Sequence, residues 1–251
     1  MLAPRINRRV FVVGAGVGAG VCAGATTFTC AAFAQGNSPM PHIVLLGDSV
    51  FDNAAYVAGG PDVVQQLRAI LPPGWRATLS ARDGATIADL ADQLQKLPAG
   101  SSHLVVSIGG NDALGEAALL DASVTSMTEA LELMTRVRER FQSAYIRMLD
   151  RLLETHLPIA VATIYDPRFP EPARRRVAAT ALTALNDTVT RQAFARHIDL
   201  IDLRIICDED ADFANAIEPS VHGGTKIARA ILDFAVLPGI ATSRAFARAT
   251  R

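Results

Sequence analysis

The chain has 251 residues, half of them hydrophobic, a length that suits one α/β domain or at most a small pair. Its 24 basic and 25 acidic residues nearly cancel, which excludes the strongly basic field that nucleic-acid-binding proteins usually carry. A small molecule or a surface polymer fits this balance better as a partner.

The first 34 residues have the pattern of an export signal. A run without Asp, Glu, Lys or Arg extends from position 10 to 47, and it is preceded by Arg5, Arg8 and Arg9. "AFA" at 32–34 supplies a cleavage signal, so that the mature chain would begin at Gln35. The paired arginines before a Gly/Ala-rich stretch resemble a twin-arginine signal. The sequence therefore predicts an exported protein, periplasmic or secreted, with residues 35–251 forming a single domain.

A second interpretation of this segment is less favoured. "VFVVGAGVGAG", residues 10–20, could be the strand and glycine-rich turn of a dinucleotide-binding unit. Such a unit needs a carboxylate about 20 residues further on to bind the ribose, whereas the first acidic residue here is Asp48. Dense glycine also makes the segment a poor membrane span. Signal cleavage would leave Cys207 as the last cysteine, so that no intramolecular disulfide could form.

From His42 onward, short apolar runs alternate with helical patterns, which predicts an α/β fold with a parallel sheet. Continuous Val/Ile/Leu character favours strands that are covered on both faces. The candidate strands are His42–Leu46, Trp75–Ser80, His103–Ile108, Ile159–Ile164 and His197–Leu203.

The predicted helices are stretches with apolar residues at helical spacing. They begin near Val63, Ile87, Met127 and Ile227, and the third is long enough for one long helix or two joined ones. Thr86 and Asp89 resemble a capping box at the start of the second.

Polar and glycine residues follow the first three strands. They are Ser49 in "GDS", Gly84 in "RDGA" and Asn111 in "GGND". Ligands bind outside the carboxyl ends of strands in an open parallel sheet. A hydroxyl together with backbone and amide N–H donors is what acyl transfer requires. Each residue alone could equally be a turn or cap residue, and it is their occurrence together that indicates a catalytic site.

Four blocks of the sequence, "LLGDSV", "DGAT", "SIGGNDAL" and "IEPSVHGGTKIA", resemble the ordered blocks of the SGNH, or GDSL-type, hydrolases. The resemblance extends from Ile43 to Phe234. It implies a flavodoxin-like three-layer α/β/α fold with about five parallel strands, and an esterase or acylhydrolase activity. It also implies that Ser49 is the nucleophile and that Gly84 and Asn111 contribute to the oxyanion hole.

The last block departs from the family pattern. That pattern reads D-x-x-H-P-[NS]-x-x-G, and aligning Pro219 and Gly223 with it puts Glu218 at the histidine position and Asn215 at the aspartate position. His222 falls four residues late. A carboxylate is the weaker base by about two pKa units, roughly 3 kcal/mol of proton affinity, although burial could recover part of this.

Three interpretations remain open at this point. Glu218 could itself be the general base for Ser49. Ser220 could instead cap a helix on which Glu218 orients His222 toward Ser49, as a rearranged triad. In the third, the base is lost and the chain is a catalytically impaired protein that binds an acyl or glycan ligand.

The sequence indicates no metal site and no organic cofactor. Its five histidines are isolated, without a pair at ligand spacing. The expected function is therefore that of an exported serine esterase or acylhydrolase working through an acyl-Ser49 intermediate. The expected substrate is an acyl ester, either small or borne on a polymer, with no nucleic acid and no stable membrane span after signal cleavage.

Overall fold

The structure, a computed structural model, describes residues 40–237 and 244–246. The predicted export signal, its cleavage site and the alternative dinucleotide unit lie outside the described residues. Within the described ranges, no helix has both the length and the apolar character needed to cross a membrane.

The described strands form one sheet of six parallel strands in the order β2-β1-β3-β4-β5-β6. Their bounds are β1 His42–Gly47, β2 Arg76–Leu79, β3 His103–Ser107, β4 Ile159–Ala162, β5 Asp199–Ile201 and β6 Ala245–Phe246. The prediction of a parallel sheet of about five strands is confirmed. The sixth strand has only two residues, which is too short to produce a sequence pattern.

Seven α-helices occur in the part of the chain that the structure describes. They are α1 Val63–Ile70, α2 Leu90–Gln95, α3 Gly110–Gly115, α4 Met127–Leu153, α5 Pro172–Ala195, α6 Leu203–Ile206 and α7 Val221–Val236. A 3₁₀ turn, Ile87–Asp89, leads into α2, and Asp89 accepts a hydrogen bond from Thr86 N, as the predicted capping box requires. α4 is one long helix. α5 was not predicted from the sequence.

Helices cover both faces of the sheet. On one face, α1, α6 and α7 pack against β-strand side chains such as Ile43 and Leu45. On the other face, α2, α4 and α5 pack against the alternating residues Val44 and Leu46. All six residues of β1 are buried, as is usual for a strand of a parallel sheet that is covered on both faces. The result is the expected three-layer α/β/α arrangement.

The strand order places a crevice beside β1. The chain leaves β1 toward β2 on one side and later returns to β3 on the other, so the direction of winding reverses between β1 and β3. In doubly wound sheets, ligands bind at this point, outside the carboxyl ends of the strands. Ser49 follows β1, and Asn111 follows β3 within the first turn of α3.

Candidate active site

Gly47, at the end of β1, sets the path of the chain into Ser49. Its φ is +123°, and an added Cβ would lie 1.7 Å from Ser107 O, so only glycine fits here. The buried Gln93 side chain holds both backbone groups of this residue: Gly47 N donates to Gln93 Oε1 at 2.7 Å, and Gln93 Nε2 donates to Gly47 O at 2.8 Å. The backbone that leads into Ser49 is therefore fixed both by the close packing of Gly47 against Ser107 and by the two hydrogen bonds to Gln93.

Ser49 meets Glu218 inside this crevice. Ser49 Oγ donates a hydrogen bond to Glu218 Oε1 at 3.1 Å. Both residues are buried, with 8% and 5% of their surfaces exposed. A hydroxyl and a carboxylate at this distance, and sheltered from water, have the geometry that proton transfer from a nucleophile to a base requires.

The loop that carries Glu218 is held by other side chains. Asn215 Oδ1 accepts hydrogen bonds from Ile217 N at 2.9 Å and Glu218 N at 3.0 Å. Tyr165, in the segment after β4, donates its hydroxyl to Ile217 O at 2.5 Å. Asn215, at the position aligned with the family aspartate, thus shapes the backbone under Glu218.

Asn53 connects the Ser49 loop to the Glu218 loop. Its amide donates to Pro219 O at 3.0 Å and its carbonyl accepts from Val63 N at 3.0 Å. The residue is fully buried, so neither bond competes with water. The residue that follows Glu218 is in this way tied to the segment that follows Ser49.

The electrostatics of the crevice favour protonated carboxyl groups. Burial raises the pKa of Glu218 to about 7, an effect opposed by the Ser49 hydrogen bond and increased by the nearby charge of Asp83. Glu218 Oε2 is buried and has no hydrogen-bond partner among the described residues. Burial also raises the pKa of Asp48 to about 8, with further contributions from Glu218 and Asp112. Near neutral pH, Glu218 is therefore close to half-protonated, while Asp48 is mostly protonated.

The two predicted oxyanion donors lie on adjoining loops. Gly84 has a φ of +76° in an exposed turn, and an added Cβ there would meet no atom within 4 Å. Asn111 Nδ2 donates to Ala85 O at 2.9 Å, which leaves its second amide hydrogen available. Asn111 and Ser49 line the same cavity.

His222 lies away from Ser49. It is on the first turn of α7, where Ser220 caps the helix by accepting from His222 N and Gly223 N, as the second interpretation required. Its side chain is 56% exposed, and its Nε2 lies 3.7 Å from both Glu209 Oε2 and Asp212 Oδ1. The structure therefore brings Glu218, and not His222, to Ser49.

The acidic group around His222 is a feature that the sequence spacing did not reveal. Ligand atoms of Glu209, Asp212 and His222 lie within 4.8 Å of one another. Lys226 Nζ lies 2.9 Å from Asp212 Oδ1 and 3.6 Å from Glu209 Oε2, so a side chain of the protein already provides positive charge there.

A cavity of about 230 Å³ opens beside Ser49 and Glu218. Its walls come from α3, the following 3₁₀ turn Ala117–Asp121, α4, α5 and the segment after β4. Most of the wall is apolar. The polar side chains of Ser49, Asn111 and Glu218 come from the loops after β1 and β3 and before α7.

Sequence reasoning did not identify Asn53, Gln93 or Tyr165. All three are buried polar side chains that hold backbone atoms of the two loops. No sequence motif marks these three residues. A side chain that bonds to a backbone group can come from any loop or helix close enough to reach that group. Gln93 does interrupt the apolar face of its helix, and a buried polar residue of this kind is the available signal.

The strand order, with a serine after β1 and an asparagine after β3, defines an SGNH-type α/β fold. The chain belongs to the GDSL-like lipase/acylhydrolase family, which matches residues 45–228. It is accordingly a hydrolase that acts on ester bonds. No curated protein matches the chain.

Solved structures of similar fold include lipases and an esterase. An extracellular lipase from Streptomyces rimosus is 17% identical, covering 78% of this chain and 100% of that one, with a TM-score of 0.55. The lipase Lip_vut3 from a goat rumen metagenome is 17% identical over 78% and 97%, with a TM-score of 0.61. The acetyl xylan esterase AlAXEase is 15% identical over 78% and 100%, with a TM-score of 0.57. At these identities the likeness concerns the fold alone.

Proposed function

We propose that this protein is an exported serine esterase in which Ser49 is the nucleophile and Glu218 is the general base. The observation that carries the proposal is the buried hydrogen bond from Ser49 Oγ to Glu218 Oε1, at 3.1 Å. The first of the three interpretations of the last sequence block is thus the one we adopt. The basic, apolar and A-x-A pattern of residues 1–34 supports export.

The reaction proceeds through an acyl-enzyme. Ser49 Oγ attacks the ester carbonyl carbon while its proton moves to Glu218, and the carbonyl oxygen becomes an oxyanion. The C–O bond to the alcohol then breaks, and the alcohol leaves with the proton from Glu218. A water molecule next gives a proton to Glu218 as its oxygen attacks the acyl carbon. The Ser49–acyl bond breaks, Ser49 regains a proton, and a carboxylic acid is released.

The oxyanion is bound by N–H groups at the strand ends. Ser49 N, Gly84 N and the free amide hydrogen of Asn111 are the donors. The bond from Asn111 to Ala85 O fixes its amide plane and holds it to the Gly84 loop. Donors whose orientation is set before the reaction need no rearrangement as charge develops on the oxygen.

A carboxylate can act as this base because its surroundings raise its proton affinity. With a pKa of about 7, Glu218 comes within reach of an unperturbed histidine, whose pKa is about 6.5. Its Oε2 has no donor among the described residues that would stabilise the anion. The negative charge that an Asp-His pair normally supplies is here on the base itself, so Asn215 need not be acidic.

The decisive experiment is active-site labelling with a fluorophosphonate, together with hydrolysis of p-nitrophenyl acetate and butyrate. Wild type and His222→Ala should label, whereas Ser49→Ala should not. Glu218→Gln should label at least about 100-fold more slowly, since a positioned base contributes about 10² to 10⁴ in rate. Labelling that persists in Ser49→Ala would overturn the nucleophile, and full labelling in Glu218→Gln would overturn the base. No labelling of any form would contradict the proposal and favour the ligand-binding alternative.

A further inference from the structure

The cavity beside Ser49 changes character along its length. Ser49 and Asn111, which follow β1 and β3, and Glu218, from the loop before α7, contribute polar atoms at one end. Farther along, the walls are aliphatic and aromatic side chains from four elements, among them Leu119, Met134, Val137, Ile164, Leu182 and Leu185. A ligand that fills it must therefore present a polar reacting group at one end and an apolar body behind it.

From this arrangement we infer that the cavity binds the acyl half of the substrate, and that its ligand is an unbranched aliphatic chain of medium length. The inference rests on the proposed function, because it is Ser49 that identifies which end of the cavity receives the ester carbonyl. The substrates are then esters of medium-chain fatty acids rather than acetyl esters of polysaccharides.

One face of α5 forms a wall that suits an extended chain. Arg174, Ala178, Leu182 and Leu185 all line the cavity at helical spacing. With a rise of 1.5 Å per residue, this stripe is about 16 Å long. Ala178 and Leu185 are buried, so the wall is backed by the packed core and cannot readily move aside.

Apart from Asp48 and Glu218 near the nucleophile, the charged residues of the lining are Glu116 and Arg174, and each contacts a partner. Glu116 accepts a hydrogen bond from Arg140 at 2.6 Å. Arg174 lies 3.5 Å from Asp121 Oδ2 and 5.6 Å from the centre of the Phe169 ring. Neither charge is left to bind a carboxylate or an ammonium group on the acyl chain, which argues for a hydrocarbon.

The size of the cavity bounds the length of the chain. A water-sized group takes roughly 30 Å³, so a cavity of about 230 Å³ has room for on the order of eight or more such groups, as an acyl chain of medium length requires. Each methylene transferred from water to an apolar site favours binding by about fourfold. An acetyl group would leave most of the apolar wall uncovered and gain none of this.

The test is the value of kcat/KM for p-nitrophenyl esters from acetate to dodecanoate. We expect kcat/KM to rise from acetate to about octanoate and then to level off or fall. Ala178→Leu narrows the cavity and should move the optimum to shorter chains, while Leu182→Ala widens it and should move the optimum to longer ones. Thr183 is exposed on the opposite side of α5. Thr183→Leu is therefore the matched control, and it should leave the dependence of kcat/KM on chain length unchanged.

The outcomes separate this inference from the function on which it rests. If the wild type labels with fluorophosphonate but prefers acetate, or if neither cavity variant shifts the optimum, the inference is overturned and the esterase stands. Should Ala178→Leu fail to fold, Leu182→Ala decides the matter alone. A wild type that neither labels nor hydrolyses any ester overturns the proposed function and this inference with it.

Discussion

The Glu218 side chain is positioned mainly through its backbone. Asn215 and Tyr165 hold the peptide groups before it, and Asn53 holds the carbonyl after it, whereas the carboxylate bonds to Ser49 alone among the described residues. Strong donors on a carboxylate would lower its pKa and weaken it as a base. Fixing the residue from the backbone orients it without that loss.

This arrangement predicts how activity depends on pH. Below pH 7, Glu218 is increasingly protonated and cannot accept the Ser49 proton, so kcat/KM for p-nitrophenyl butyrate should fall about tenfold per pH unit on the acid side. His222→Ala should give the same profile as the wild type. An acid limb that moves in His222→Ala would show that the histidine takes part in the proton transfer.

At the scale of elements, the candidate site depends on two loops that are far apart in the sequence. One follows β1, the other precedes α7, and Asn53 joins them through Pro219 O and Val63 N. A second bridge between these parts uses Gln66, whose amide donates to Val221 O at 3.1 Å and lies nearer the surface. Of these two bridges, the one from Asn53 bonds to Pro219, the residue that follows Glu218.

Asn53→Ala should therefore impair catalysis as well as stability. It leaves two buried backbone groups without partners, which should lower the free energy of unfolding by about 3 kcal/mol. Displacing Glu218 should lower kcat roughly 10- to 100-fold with a smaller change in KM. Urea unfolding and steady-state kinetics measure the two effects.

Gln66→Ala is the control for this prediction, because it removes a comparable bridge that does not reach the base. It should lower stability modestly and leave kcat near the wild-type value. Equal losses of kcat in the two variants would mean that Asn53 acts only through general stability.

The elements were predictable to different degrees. β1, β3 and β4 are continuous apolar runs, and the starts of their strands were located to the residue. α5 was missed because its apolar face is diluted by Ala and Thr, and because the polar residues Asn186 and Thr188 are buried on it. Tertiary contacts explain such residues: Asn186 bonds to both backbone groups of Ile164, which no local pattern can reveal.

The location of the candidate site was predictable where it follows from position on the sheet. Ser49 and Asn111 come directly after strands, and a parallel sheet gathers such residues at one edge. The choice between Glu218 and His222 was not predictable, because four residues of spacing fit either a loop or a helical turn. The start of α7 decides between them. Because Ser220 caps the helix, Glu218 lies in the loop before it and faces Ser49, whereas His222 lies on the first turn of the helix.

At the scale of the whole molecule, the first 34 residues make a prediction of their own. The protein produced with its full sequence in a bacterium that has a twin-arginine pathway should be exported and begin at Gln35, as intact-mass measurement of the exported form would show. Replacing Arg8 and Arg9 by lysine should stop export, whereas Arg5→Lys should not. Export of the double variant would point to another route.

The Ser49–Glu218 hydrogen bond joins residues 169 positions apart, nearly the full span of the matched family region. The competent pair cannot exist in a partly folded chain that has formed β1 but has not yet docked the segment before α7. Reactivity of Ser49 toward a fluorophosphonate would therefore report when the segment before α7 docks against the loop after β1 in refolding. Pulse labelling with the fluorophosphonate during refolding would time this docking step at one residue.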